Sequence, residues 1–377
     1  MRMRSLLALA LLLLGVVGCG SSGDAGPGAV GFTKVELPAG SEPVALAVSG
    51  DALLIGLRRE GQALVPGVLR RGADGTTTEL ALRAATPYGK LARWYSIASD
   101  GQQIVAIGGA RGGAHGNVRW SAWTGSASGL SEQEQTFNTF GGNGAGDLID
   151  AVLTGSGPVL VGTRQSDKTG LDAAVWTHSG DSWNRQSSAG TPLESRPDSL
   201  SFPIAATALG QGPLITGWQL NSGGPSRQPP VVWRSTSLGG TWTVTALPEP
   251  GRTGAGMALR CWAASCAVAG RVDGKLALWR LDGESWTRMP GVPPVPVGDK
   301  DRLAAPVQPD GRLTQILADS GQVKIARADG GGGWTVRAAS GPTGTVTATA
   351  QTGDTIFVLA GPDEDHLALW RAPTSAL

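Results

Sequence analysis

Histidine, tyrosine and cysteine are scarce in this chain of 377 residues, with three, two and three copies respectively. The histidines, His115, His178 and His366, fall in a Gly-rich loop, a predicted hairpin and an acidic loop. None stands beside a cysteine as a zinc site would need, and nothing resembles the nucleophile elbow of a serine hydrolase. Charge is also thin, at 16% of residues, and 31 basic side chains against 30 acidic ones leave no basic stripe. Nucleic-acid binding, which depends on neutralising phosphates, is excluded as a partner class. The N-terminal apolar run, Leu6 to Leu14, is too short to cross a membrane comfortably, which takes about 20 residues.

What the chain has in quantity is glycine (58) and tryptophan (13). That balance suits many short strands joined by tight turns better than long solvated helices. An all-β fold is therefore expected, and 377 residues suffice for one large domain with a substantial core.

The first 20 residues read as an export signal: Arg2 and Arg4, then the apolar run, then small residues. The run ends at Val16-Val17-Gly18-Cys19, which resembles the lipobox of bacterial lipoproteins. That resemblance implies removal of residues 1–18, lipidation of the Cys19 thiol, and a home on the extracytoplasmic face of the cell membrane. Residues 19–30 then form a Gly/Ser/Pro tether, and a folded domain spans 31–377. Loss of the signal leaves 29 basic residues against 30 acidic ones and a net charge of −1. The domain's own charge would not hold it to anionic lipid, so the membrane partnership rests on the acyl chains, at about 0.8 kcal/mol per buried methylene.

Cys261 and Cys266, in "RCWAASCAVAG", can face each other across a short hairpin. Export to an oxidising compartment favours a disulfide there, the alternatives being a metal pair or a reactive thiol couple.

A phrase with two tryptophans recurs as "AVWTHSGDSW" from Ala174, "VVWRSTSLGGTW" from Val231 and "ALWRLDGESW" from Ala277. Its Gly-bearing turn predicts a hairpin with an indole at each foot. Upstream of it recur short apolar runs such as "GPVLVGT", "GPLITGW" and "CAVAGR". Being nearly continuous in apolar character, they predict strands buried on both faces. Alignment by these marks gives seven units, at 42–82, 91–137, 147–187, 203–247, 256–290, 301–339 and 345–371. Their length is that of a four-stranded propeller blade.

The seventh unit stops before a fourth strand, whereas "FTKVELPAG", Phe32 to Gly40, resembles the fourth strands of other units. The expectation is a seven-bladed β-propeller of four-stranded blades whose N-terminal strand closes the ring. Six or eight blades are the alternatives, because the first and sixth units are degenerate.

The segment "STSLGGTW", Ser235 to Trp242, resembles the Asp-box, or BNR repeat, of sialidase-like propellers, with Ser237 where the Asp belongs. In sialidases the resemblance would imply an arginine cluster and a Tyr nucleophile paired with Glu. Here Tyr88 and Tyr95 both sit near the start of the second unit, and "SFPI" at Ser201 lacks the family's Arg. No catalytic residue and no cofactor is assigned. Asp147, Asp150 and Glu194 read as loop and turn carboxylates. "GPDEDH", from Gly361, matches no calcium loop and reads as a solvated connection. "GGNGAGD", from Gly141, reads as a link between blades. Trp94, Trp120, Trp218 and Trp262 fall outside the hairpin feet.

Function is therefore expected where the units differ. The longest loops between second and third strands offer Arg111, His115, Asn117, Arg164, Lys168, Asn221 and Arg227. The leading expectation is a non-enzymatic binding or scaffold module for a protein or glycan ligand. The alternative is an extracellular glycoside hydrolase or lyase, whose mark would be two or more carboxylates with shifted pKa in the central mouth. Replacing Cys19 with Ser is expected to move the protein from the membrane pellet to the soluble fraction. Unchanged partitioning would sink the lipid anchor.

Overall fold

A computed structural model describes residues 28–377 apart from 62, 113–115, 143, 224–226 and 264. The signal segment, Cys19 and most of the tether lie outside the described residues. The rest is nearly all β: seven sheets arranged as the blades of a propeller. Blade 1 is built from Ser41–Ser49, Ala52–Arg59, Val65–Arg71 and Thr77–Glu79, in order from the axis outward. Blades 2 to 5 repeat the plan, beginning at Arg93–Ser99, Ala145–Thr154, Ser199–Leu209 and Gly254–Trp262, and blade 2 gains a fifth strand, Ala81–Arg83, parallel to its outer strand Gly129–Gln133. Blade 7 runs Thr345–Thr352, Thr355–Gly361 and Ala368–Pro373.

The N-terminus closes the ring, and it does so on two blades. Thr33–Lys34 pairs antiparallel with the third strand of blade 7, Thr33 opposite Arg371 and Lys34 opposite Trp370. Just before it, Val30–Gly31 pairs in parallel with the outer strand of blade 6, Trp334–Thr343. Val30 and Phe32 between them enter the apolar core shared by these blades.

Degeneracy of the sixth unit has a structural counterpart. Its hydrogen-bonded strands are Thr314–Asp319, Gln322–Ala328 and Trp334–Thr343. The position nearest the axis is taken by residues 303–307, which join the ladder only where Val307 and Thr314 exchange backbone hydrogen bonds of 3.0 and 2.8 Å.

The glycine that ends the second-strand run in blades 3, 4 and 5 is explained by backbone proximity, whereas Gly56 and Gly108 of blades 1 and 2 face packed side chains. In six blades the inner strand carries a register shift, as between Pro203 and Ala205 or between Gly256 and Ala258. Opposite these shifts stand Gly217 and Gly270. A Cβ at Gly217 would lie 2.0 Å from the Phe202 carbonyl oxygen, and one at Gly270 2.0 Å from that of Ala255. Neither distance can accommodate a side chain.

The core is divided among the seams between blades. Seven apolar clusters each join one blade to the next. Trp233, for example, packs with Val159, Val161 and Val175 of blade 3 and with Ile215 and Val231 of its own blade. The first tryptophan of each phrase also donates its N–H to the chain arriving from the preceding blade. Trp176 bonds Thr139 O at 3.1 Å, Trp233 bonds Pro192 O at 3.0 Å, and Trp279 bonds Pro248 O at 2.8 Å. Cys261 and Cys266 are directly opposed at the first hairpin of blade 5 and form a disulfide, with Cα atoms 4.0 Å apart.

The second tryptophans differ among themselves: Trp183 and Trp242 are buried in seams like the first ones, whereas Trp286 only packs against its seam. Trp233 is fully buried, whereas Trp286 is half-buried. Trp233→Ala is expected to cost about 3–5 kcal/mol of stability in urea unfolding, and Trp286→Ala less than about 2 kcal/mol. Equal costs would contradict the assignment of the first position to the seam.

Candidate functional site

Successive strands alternate in direction, so the first and third turns of every blade lie on one face of the ring. The second–third loops and the connections between blades form the other, the loop face. Arg111, Asn117, Arg164, Lys168, Asn221 and Arg227 all belong to blades 2 to 4 of that face, and His115 lies outside the described residues. The structure does not gather them into one pocket. Lys168 pairs with Glu194 at 2.9 Å, Asn221 Oδ1 accepts from Ser199 Oγ at 3.0 Å, and the Arg227 carbonyl accepts from the Asn221 N–H at 2.9 Å. These groups hold their own loops. Arg111 donates at 3.4 Å to the Gly116 carbonyl within its loop. Arg164 reaches across to the Gly141 carbonyl at 2.8 Å, at the rim of a cavity on blade 2.

Over the mouth of the ring lies the "GPDEDH" loop of blade 7. Its carboxylates turn to arginines of three other parts of the ring. Asp365 Oδ1 accepts from Arg93 of blade 2 at 2.5 Å, and the Asp365 carbonyl accepts from Arg58 of blade 1 at 2.9 Å. Glu364 pairs with Arg302, in the connection entering blade 6. Arg58 also holds Glu42 through two bonds of 3.0 and 2.5 Å. Asp363 and His366 pair at 2.8 Å. Their hydrogen bond, aided by the charge each sees, lowers the Asp363 pKa and raises that of His366. Among the described residues no group of three or more His, Cys, Asp or Glu side chains is arranged to hold a metal. The connection is exposed, as expected, and is in addition a strap tied to several blades by ion pairs.

Two ionisable groups stand on inner strands deep in the channel. Asp150 of blade 3 accepts a 2.7 Å bond from the Ala206 N–H of blade 4. Protein surrounds its carboxyl even though part of the residue still borders the lumen. Desolvation raises its pKa to about 6, against smaller lowering contributions from the Ala206 and Ser96 hydrogen bonds. Arg260 of blade 5 donates at 2.6 Å to the Thr349 carbonyl of blade 7, and burial lowers its pKa to about 10. Asp147, by contrast, is a rim residue whose N–H bonds Thr163 Oγ1 at 3.0 Å.

A cavity of about 380 Å³ opens on the loop face of blade 2, lined by Tyr88, Arg119, Trp120, Glu132, Phe137 and Phe140 among others. Its floor is set by Glu132, a buried carboxylate that accepts from the N–H groups of Ala85 and Thr86 and from Thr86 Oγ1, each at 2.7 Å. These bonds pin the connection that carries Tyr88. A Cβ on neighbouring Gly89 would lie 2.0 Å from Glu132 Oε2, so glycine is required there. The opposite wall is the short helix Phe137–Phe140. Phe140 anchors it edge-on to buried Trp176 with centroids 5.8 Å apart, leaving Phe137 61% exposed under the Arg119 guanidinium, 5.0 Å from the ring centroid. Trp120 meets Tyr95 edge-on at 4.8 Å.

Both tyrosines of the chain are therefore beside this cavity, and one of the four tryptophans outside the hairpin feet lines it. Of the other three, Trp94 is buried between blades 1 and 2, Trp218 stacks on Phe202 with centroids 4.0 Å apart, and Trp262 borders a smaller cavity of about 180 Å³ between blades 5 and 6. Sequence reasoning passed over Tyr88, Glu132 and Phe137. The signal available was the crowding of both tyrosines into one unit.

The chain matches no protein-family model and no curated protein. Similar solved structures are propellers or contain them. A puromycin-hydrolyzing peptidase of Mycobacterium tuberculosis superposes with a TM-score of 0.54 at 12% identity, over 92% of this chain and 54% of that one. The β-propeller domain of the Trilobed protease from Pyrococcus furiosus, described as having an open velcro topology, gives 0.50 at 9% identity, over 88% and 95%. A Trypanosoma rangeli sialidase bound to the inhibitor DANA gives 0.45 at 12% identity, over 91% and 57%. This chain thus spans little more than half the length of the sialidase and the peptidase. At these identities the likeness establishes the propeller fold alone.

The channel carboxyl makes stability depend on pH. Unfolded, an Asp titrates near 3.9; folded, Asp150 keeps its proton to about 6. Stability should therefore fall as pH rises through roughly 4 to 6, by up to about 3 kcal/mol. Asp150→Asn removes this dependence, so its melting temperature relative to wild type should climb between pH 4 and pH 7. Parallel pH profiles would refute the raised pKa.

Proposed function

We propose that this chain is a lipid-anchored, extracytoplasmic β-propeller that captures a glycan or protein ligand on its loop face. The observation that carries the reading is the division of labour among side chains on that face. At the mouth, Glu42, Glu364 and Asp365 are engaged by Arg58, Arg302 and Arg93, so their charges serve the ring's own architecture. On blade 2, exposed Phe137 and half-buried Trp120 line an open cavity together with Phe140, which belongs to the seam. A rigid ring presenting such a cavity suits binding, and the order of features in the first 20 residues supports its address at a bacterial membrane.

Asp150 favours a second reading, a glycoside hydrolase or lyase, because a carboxyl raised to about 6 is suited to general acid work. Such chemistry needs a second carboxylate across a substrate. The mouth carboxylates Glu42, Glu364 and Asp365 are held in ion pairs, which favours the binding reading.

Capture from envelope extract by the immobilised domain tests it. Shortening the loops at 166–170 and 222–229, together with Phe137→Ala, is expected to abolish retention of whatever the wild type holds. Trp262→Ala, on the opposite face, should keep it. Equal retention by the loop-face variant would overturn the proposal.

A further inference from the structure

We infer that the blade 2 cavity is a subsite for a neutral glycan, one sugar ring stacking on the aromatic wall formed by Trp120 and Phe137; this rests on the loop face being the binding face.

The first support is that the fold uses Trp120 only in part: it packs against the seam between blades 2 and 3 and against Tyr95, yet it stays half-buried and lines the cavity. Seven other indoles, those of Trp94, Trp123, Trp176, Trp233, Trp279, Trp334 and Trp370, donate their N–H to protein acceptors. Trp120, like Trp183, Trp218, Trp242, Trp262 and Trp286, makes no such bond among the described residues; it is only half-buried and lies in the third strand of blade 2 three residues before Trp123, which fills the seam with blade 1. Phe137 has still less structural reason to be aromatic. It is exposed at the head of a helix that Phe140 already anchors. An exposed phenyl ring and a half-buried indole lining one cavity are costly in water unless something apolar covers them.

Size and charge then narrow the occupant. About 380 Å³ lies within the roughly 300–1,000 Å³ of small-ligand sites. A protein partner would instead need about 800 Å² of matching surface on each side, and these aromatic groups are confined to one end of one blade. The walls carry one charge of each sign. Glu132 is satisfied by three donors, and Arg119 lies over Phe137. No net field selects an anion or a cation. Gln133, whose Nε2 donates to Thr124 Oγ1 at 2.9 Å, leaves its Oε1 as an acceptor at the rim, whereas the Gln135 amide is taken up by Asp181 O and the Trp183 N–H. A pyranose has the complementary make-up: an apolar C–H face for a ring to cover, and an edge of hydroxyls that can donate to the Gln133 Oε1 and accept from the Arg119 guanidinium.

The probes are maltotetraose, cellotetraose and tetra-N-acetylchitotetraose, titrated separately into the purified domain and followed by calorimetry and tryptophan fluorescence. One of them should bind saturably, with affinity falling about tenfold or more in Trp120→Ala and in Phe137→Ala and unchanged in Trp262→Ala. Circular dichroism and melting temperature establish that each variant is folded. Because Phe137 is exposed, its variant keeps the test decisive if Trp120→Ala loses structure. Saturable binding to none of the three, or binding that survives in folded Phe137→Ala, overturns the glycan assignment. A protein retained from envelope extract and released by the loop-face variant, with no sugar bound, would leave the capture reading standing and this inference refuted.

Discussion

Stability in this molecule depends on the seam between neighbouring blades. A single four-stranded sheet has two apolar faces and cannot bury either alone. Each face is covered only by the next blade, and the seven apolar clusters are these coverings. The buried indoles Trp176, Trp233 and Trp279 fill the seams, and their N–H bonds tie each blade to the chain that enters it. A ring built this way has no centre to its core, which frees the axis to be a channel. It is also only as stable as its last seam. That explains why the N-terminal segment is spread over two blades, pairing with blade 6 through Val30–Gly31 and with blade 7 through Thr33–Lys34.

The same economy bears on where function can reside. Residues repeated from blade to blade are committed to seams, bulges and turns, whereas the loop face collects what each unit does not share. Blade 7 contributes the acidic strap, which binds blades 1, 2 and the approach to blade 6 through Asp365 and Glu364. Blade 2 contributes the cavity, built on a buried carboxylate and a helix four residues long. These features lie on one face, so a ligand held in the cavity would be presented beside the mouth. The opposite face carries the disulfide-closed hairpin of blade 5.

Much of the architecture was legible before any coordinates. Seven units, the doubly buried second strands, the hairpin of the two-tryptophan phrase and closure by the N-terminal strand follow from features that recur, and recurrence is visible in one dimension. The Cys261–Cys266 pair was legible for a related reason, since a hairpin places near neighbours opposite each other. Less was legible where the contact is long-range. Parallel addition of Val30–Gly31 to blade 6 joins residues some three hundred positions apart and leaves no pattern in two residues. The "GPDEDH" loop is exposed, as its polar sequence implied, but its partners Arg58, Arg93 and Arg302 come from other blades and could not be read from it. The chosen loop residues were polar and exposed by pattern, yet Lys168 and Asn221 are occupied with Glu194 and Ser199.

The sequence by itself determined that this is a closed ring of repeated all-β units, because strand period, glycine punctuation and paired tryptophans are local properties repeated at a fixed length. Its first 20 residues are the ground for the proposed export and lipid anchor. Only the tertiary structure decided which unrepeated side chains meet. Tyr88, Trp120 and Phe137 come from a blade connection, a strand and a short helix, and they share one cavity because Glu132 and Phe140 pin two of those elements beside the third. Sites of this kind depend on distances between segments, and those distances are set by the packing of the whole ring.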